Sequence, residues 1–193
     1  MENFEIEKLD IKKTDKQGIE SIDLPSLTDE EEKIVDPIVA PTSGLRIELC
    51  DILEDGQKYV ARKRRIFLFL RVYRAIAQYY KEQNPNEELN ILIVSDDRPT
   101  SDILLKLSSQ IFAYEGYTVF FQNKDTQDSK MSSPYGAASV ALYDEIQLVI
   151  VLTASHNELA WNGIKFYIEY PIPISGDIFK NVSKRALEFE EIL

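Results

Sequence analysis

The sequence predicts an α/β layer fold with a largely parallel sheet, and three observations predict it. Short apolar runs at 89–94, 117–122 and 148–153 have the length and composition of strands. Amphipathic stretches at 100–114 and 133–143 lie between them, the alternation that builds parallel sheets. The two densest groups of polar residues, 95–101 and 153–161, directly follow two of these strands, where open α/β sheets place their sites.

A chain of 193 residues with 44% hydrophobic content has room for one domain with a real core and a tail. The first part, 1–37, is dominated by Glu, Asp, Lys, Ser and Thr and carries an acidic run at Asp29, Glu30, Glu31 and Glu32. It lacks a sustained period of either kind and is expected to be a flexible acidic arm. Such an arm is either a solvated tail or a segment that orders on a partner. The domain proper is expected over 38–193.

From 58 to 82 there is neither Gly nor Pro, and Val60, Phe67, Leu68, Leu70, Val72, Ile76 and Tyr79 recur at helical spacing. One long amphipathic helix is expected there. Its basic residues, among them Arg62, Arg64, Arg65, Arg71 and Arg74, are read as its wet face instead of a nucleic-acid patch. The strand at 89–94 ends in Ser95, Asp96 and Asp97. The helix at 100–114 turns Ile103, Leu104, Leu107, Ile111 and Phe112 inward, and Gly116 caps it. The run at 148–153 is the most apolar of the three strands. Residues 188–193 continue a helical pattern without a stop signal, which leans towards a chain cut after its first domain.

Charge and composition exclude several classes. With 33 acidic against 22 basic residues the net charge is -11, which argues against gripping nucleic acid. Cys50 is the single cysteine, so a disulfide framework or a thiolate zinc cluster is ruled out. No apolar stretch has the length of a membrane span, and the N-terminus has no signal-like apolar core. A cytoplasmic protein without membrane or nucleic-acid partners is expected.

The loop after the third strand reads Thr153, Ala154, Ser155, His156, Asn157, with Asn162, Gly163, Ile164 and Lys165 close behind. A hydroxyl, an imidazole, a carboxamide and an ammonium at one strand end suit a phosphoryl group: an oxygen to carry it, and donors to neutralise its charge. His156 is the chain's one histidine; a lone His is often structural, but its place beside Ser155 favours function. A serine-hydrolase triad is disfavoured, because neighbours in sequence seldom hydrogen-bond as nucleophile and base and no G-x-S-x-G elbow surrounds Ser155. Neither glycine-rich phosphate loop, G-x-x-x-x-G-K-[ST] or G-x-G-x-x-G, occurs.

Four segments together resemble the α-D-phosphohexomutase superfamily, the phosphoglucomutases and phosphomannomutases. T-A-S-H-N at 153–157 with N-G-I-K at 162–165 resembles its phosphoserine loop. P-T-S-G-L-R at 41–46 resembles its N-terminal T-S-G-x-R stretch, D-D-R-P-T-S at 96–101 its D-x-R-x-x-S loop, and 172–177 the P-x-S-G-D segment that closes its first domain. The resemblance covers 39–177 and implies a three-layer α/β/α domain with a mostly parallel mixed sheet. It implies that Ser155 carries the phosphoryl group passed between hexose 1-phosphate and hexose 6-phosphate through a hexose 1,6-bisphosphate, and that its phosphate ligates Mg²⁺. Arg46 and Lys165 balance charge and assist proton movement, with His156, Asn157 and Ser43 lining the site. Arg98 is assigned to positioning the loop, or to a structural ion pair with Asp96.

The chain also departs from the family pattern. Glu158 stands where proline usually follows the loop Asn, and Ile47 where glycine usually follows the arginine. The family's metal loop, sugar-recognition loop and C-terminal phosphate loop are missing, so the chain alone is not expected to isomerise a hexose phosphate. Three readings follow: a mutase domain or subunit that works with a protein supplying the remaining domains, a degenerate mutase domain serving as a binding module, or a chain truncated after its first domain.

Overall fold

The protein is described from a computed structural model, over residues 7–9, 22–37, 40–41, 44–53, 56, 58–122 and 129–192. The elements in chain order are β1 (Glu7–Leu9), β2 (Ile22–Asp23), α1 (Asp29–Val35), β3 (Leu45–Glu48), β4 (Cys50–Ile52), β5 (Tyr59–Ala61) and α2 (Lys63–Gln83). They continue with β6 (Asn90–Ser95), α3 (Ser101–Tyr114), β7 (Thr118–Phe121), α4 (Ser133–Leu142), β8 (Leu148–Leu152), β9 (Trp161–Ile168), α5 (Gly176–Glu188) and β10 (Glu191–Ile192).

Six strands form one mixed sheet in the order β1-β7-β6-β8-β9-β3. Its parallel pairings are β6 with β7 and β6 with β8, and the outer pairings, β1 with β7, β8 with β9 and β9 with β3, are antiparallel. β6 and β8 read as unbroken apolar runs because both their faces are covered. On one face Ile91, Ile93, Leu148, Ile150 and Leu152 join the core shared with α2, α3 and α5. On the other, Leu92, Val94, Val149 and Val151 meet Ala137 and Val140 of α4, together with Met131 and Tyr167. The three layers expected from the sequence are present, with α4 the helix on the second face.

Three expectations are corrected. The helix expected from 58 begins at Lys63, because Tyr59, Val60 and Ala61 pair with β4 as a small ribbon. Arg62 closes the base of that ribbon: its N–H donates to Leu49 O (2.7 Å), and its guanidinium to Asp51 (2.7 Å) and Glu48 (2.8 Å). The helical pattern at 188–193 stops at Glu188, and β10 instead pairs antiparallel with β2.

The third correction concerns the arm. Residues 1–6 and 10–21 lie outside the described residues, but the acidic run forms α1. Thr28 caps it through a reciprocal capping box with Glu31, and four acids in the first turn favour the positive end of the helix dipole. These acids meet the basic start of α2: Arg64 holds Glu31 bidentately (2.9 and 2.6 Å) and Arg65 holds Glu30 (2.8 Å). Arg71, 3% exposed, donates to the carbonyls of Pro25, Ala186 and Phe189, and Arg74 to Glu191 O (2.8 Å). Arg64, Arg65, Arg71 and Arg74 therefore clamp the chain's own segments, while Lys63 and Arg64 also stay exposed.

Hydrogen bonding to Arg64 is the main cause that draws the Glu31 carboxyl down from 4.5 to about 2, against the opposing effect of burial. A depressed carboxyl stabilises the fold fully above its unfolded value, and that contribution fades as the pH falls from about 4.5 towards about 2. Glu31→Gln is expected to lower the melting temperature by a few degrees at pH 7, with the gap to wild type closing as the pH drops to 3. Half-exposed Arg64 keeps the effect modest. Thermal unfolding at both pH values checks it; a gap independent of pH contradicts the assignment.

Candidate active site on the β6 and β8 loops

In the parallel register Ser95 of β6 lies beside Leu152 of β8, so the loops leaving these strands run side by side. Both backbone groups of Ser155 are held by side chains. Its N–H donates to Thr153 Oγ1 (2.9 Å), and its carbonyl accepts from Arg98 Nη2 (3.0 Å). The residue sits at φ 54°, in the left-handed region that costs a non-glycine residue about 1–2 kcal/mol. The loop is thus turned at Ser155 by hydrogen bonds that hold it there.

Arg98 organises the loop from below. It is 8% exposed and gives Nε to Asp96 Oδ2 (2.9 Å), Nη1 to the carbonyls of Glu158 (2.6 Å) and Trp161 (2.8 Å), and Nη2 to those of Ser155 and Asn157 (both 3.0 Å). Asp96 accepts further from Thr153 Oγ1 (2.6 Å) and Ser101 Oγ (3.3 Å). Asn162, fully buried, ties the two loops together by donating to Thr100 Oγ1 (3.1 Å).

The cations come from the antiparallel edge. Lys165 of β9 donates Nζ to Ser155 Oγ (3.1 Å), while Arg46 of β3 donates Nη2 to the same oxygen (3.4 Å) and Nη1 to Asn157 Oδ1 (3.3 Å). Arg46 stands opposite Gly163 in the β3–β9 pairing. A Cβ on Gly163 would fall 3.1 Å from Arg46 Cγ and within 2.6 Å of two backbone oxygens, so the missing side chain is what lets the arginine cross β9. Gly44 is equally constrained: φ is 86° and a Cβ would meet Ile164 O at 2.3 Å. Burial, with help from the positive charge of Arg46 and against the negative charge of Asp96, holds the Lys165 amine below its ordinary value. An amine so placed can take or give a proton at the Ser155 oxygen.

Of the residues singled out in the sequence, Ser155, Lys165, Arg46 and Asn157 are brought together. Arg98 lies beneath the loop and touches its backbone, not the hydroxyl. His156 is exposed, and its ring makes no hydrogen bond to a described residue. Ser43 lies outside the described residues. Ile47 is 2% exposed, a core residue of β3.

The family described as phosphoglucomutase/phosphomannomutase, alpha/beta/alpha domain I, matches residues 56–192. The chain belongs to this family. Among solved structures, the phosphoglucomutase pp63/parafusin from Paramecium, in its open form, superposes with a TM-score of 0.64 at 16% identity, covering 90% of this chain and 28% of that one. A Thermus thermophilus protein assigned as a phosphomannomutase gives 0.58 at 21% identity, covering 79% of this chain and 30% of that one. At such identities the likeness speaks for the fold of a phosphoglucomutase/phosphomannomutase first domain, and this chain spans less than a third of either structure's length. A search of curated proteins gave no match.

Within this mutase domain, Thr153 had no role assigned from the sequence, and Asp96 only that of an ion-pair partner for Arg98, although both stand in the motifs. A carboxylate directly after a strand, two residues before an arginine, is the signal that could have found Asp96. As to Mg²⁺, no group of three or more His, Cys, Asp or Glu among the described residues could hold a metal ion, and two cations flank Ser155. The described site suits an anion; a cation needs oxygen ligands beyond these residues. Among the described residues no helix is long and apolar enough to cross a membrane.

Proposed function

We propose that this domain carries on Ser155 the phosphoryl group exchanged with a hexose phosphate, in a mutase completed by further domains. The observation that supports it best is the Ser155 oxygen held between Lys165 (3.1 Å) and Arg46 (3.4 Å) at the end of a buried strand. In the loading step Ser155 Oγ attacks the phosphorus of a hexose 1,6-bisphosphate. The Oγ–P bond forms, the bond from phosphorus to a sugar oxygen breaks, the serine proton passes to the Lys165 amine, and the sugar oxygen leaves to be protonated. Arg46 neutralises the equatorial oxygens, whose charge the enzyme must meet in the transition state. Mg²⁺, where further domains complete its ligand set, would add further neutralisation. The reverse step returns the group to the other end of the sugar.

The purified chain, incubated with glucose 1,6-bisphosphate and Mg²⁺, should gain one phosphoryl group that peptide mapping places on Ser155, and Ser155→Ala should gain none. A wild-type chain that never gains mass refutes the carrier role and turns attention to the binding-module reading. Uptake by Ser155→Ala shows that the acceptor is another residue.

A further inference from the structure

We propose that Thr153 and Asp96 form a positioning pair that fixes the backbone rotation of Ser155, and through it the direction in which the serine oxygen meets a phosphoryl donor. The functional half of this inference rests on the reading of Ser155 as the phosphoryl carrier. Ser155 needs such a device because its own side chain cannot hold its backbone. The hydroxyl faces Lys165 and Arg46, so the left-handed turn must be secured by the groups around it.

Thr153 supplies the hold on the N–H side. It is 3% exposed, and a β-branched side chain in that confinement has little freedom at χ1. A hydroxyl can donate one proton and accept others, so which role it plays towards Ser155 depends on where its own proton goes. Asp96 Oδ2 takes that proton at 2.6 Å, a short contact typical of a hydroxyl on a carboxylate. The lone pairs of Thr153 Oγ1 are left for the Ser155 N–H, at 2.9 Å. Asp96 is itself kept in place by Arg98 Nε (2.9 Å) and Ser101 Oγ (3.3 Å). The sense of the relay is therefore set by one partly exposed carboxylate: Arg98 and Ser101 orient Asp96, Asp96 orients the Thr153 hydroxyl, and Thr153 orients Ser155.

Two variants separate this role from simple packing. Thr153→Val keeps the shape and removes the hydroxyl; Thr153→Ser keeps the hydroxyl and removes a methyl group. Two readouts apply, amide hydrogen exchange at Ser155 by NMR in the unphosphorylated protein, and the rate of phosphoryl uptake from glucose 1,6-bisphosphate. The Ser155 amide should be protected in the wild type. In Thr153→Val its exchange should accelerate and uptake should slow, each by about tenfold or more, tenfold in rate being about 1.4 kcal/mol. Thr153→Ser should restore both to within a few-fold of wild type. An unprotected Ser155 amide in the wild type overturns the proposal without any variant, as does a folded Thr153→Val with unchanged exchange, or a Thr153→Ser as impaired as the valine. A wild-type protein with a protected Ser155 amide but no uptake defeats the carrier reading alone, and the exchange pattern still decides whether Thr153 holds the backbone.

Discussion

Arg98→Ala is expected to cost the domain about 3–5 kcal/mol, because several part-buried acceptors lose one charged donor, each such bond being worth about 1.5–3 kcal/mol. For a domain of this size that corresponds to a fall in melting temperature of roughly 6–20 °C. The reason is the number of groups that depend on one side chain. Removing it leaves the Asp96 carboxylate without the guanidinium and the carbonyls of Ser155, Asn157 and Trp161 without that donor, while the Glu158 carbonyl keeps only the Trp161 N–H. Each unsatisfied buried acceptor is costly, far more than the modest net gain of the bond it lost. Lysine is not a substitute, because a single ammonium cannot reach a carboxylate and four separated carbonyls as a planar guanidinium with five N–H groups does. Arg98→Lys should therefore fall close to Arg98→Ala in chemical denaturation. A loss below about 1 kcal/mol for the alanine variant, the range of an exposed ion pair, would mean that the loop is held by something else.

Gly163→Ala is expected to combine a stability loss of about 1–3 kcal/mol, the usual range for overpacking, with loss of phosphoryl uptake at Ser155. The added Cβ would lie 2.5 Å from Thr153 O and 2.6 Å from Leu45 O, and both are backbone atoms of flanking segments. Side-chain rotation cannot relieve such a clash; β9 must move against β8 or β3. The same methyl group would displace the stem of Arg46, 3.1 Å away, from its course towards Ser155. Denaturation followed by an uptake assay on the folded fraction checks both halves. A variant with wild-type uptake would show that Arg46 reaches the serine by another route.

How far the molecule could be read beforehand depended on whether the relevant partners are near in sequence. β6 and β8 were legible because burial on both faces forces continuous apolar runs, and α3 and α4 because their patterns lie between recognisable strands. β9 was not, since its residues were read as a motif, and its strand character appears only in the antiparallel pairing with β8 and β3. The acidic run 29–32 and the basic run 62–65 each looked solvated alone, and only the fold brings Glu31 to Arg64. At the site, hydroxyl and cations could be named because phosphoryl chemistry demands those residue types. Thr153 and Asp96 act on backbone and on each other, so no reactive group betrays them. Arg98 was named, but the number of carbonyls it holds depends on a loop path that composition does not specify.

The pairing of β2 with β10, and the clamp of Arg71 on Pro25, Ala186 and Phe189, also has a consequence for the order of assembly. Residues 22–35 leave the ribosome early, yet part of their seat consists of α5 and β10, which emerge only after residue 176. The sheet can form its β7-β6-β8 centre before these arrive, whereas the earlier-made segment waits for the later-made one. Contacts of such sequence separation form late in folding as a rule, so the clamp is expected to dock after the centre of the sheet. During synthesis residues 29–35 can lean only on Arg64 and Arg65 at the start of α2, and the rest of their seat forms when α5 arrives.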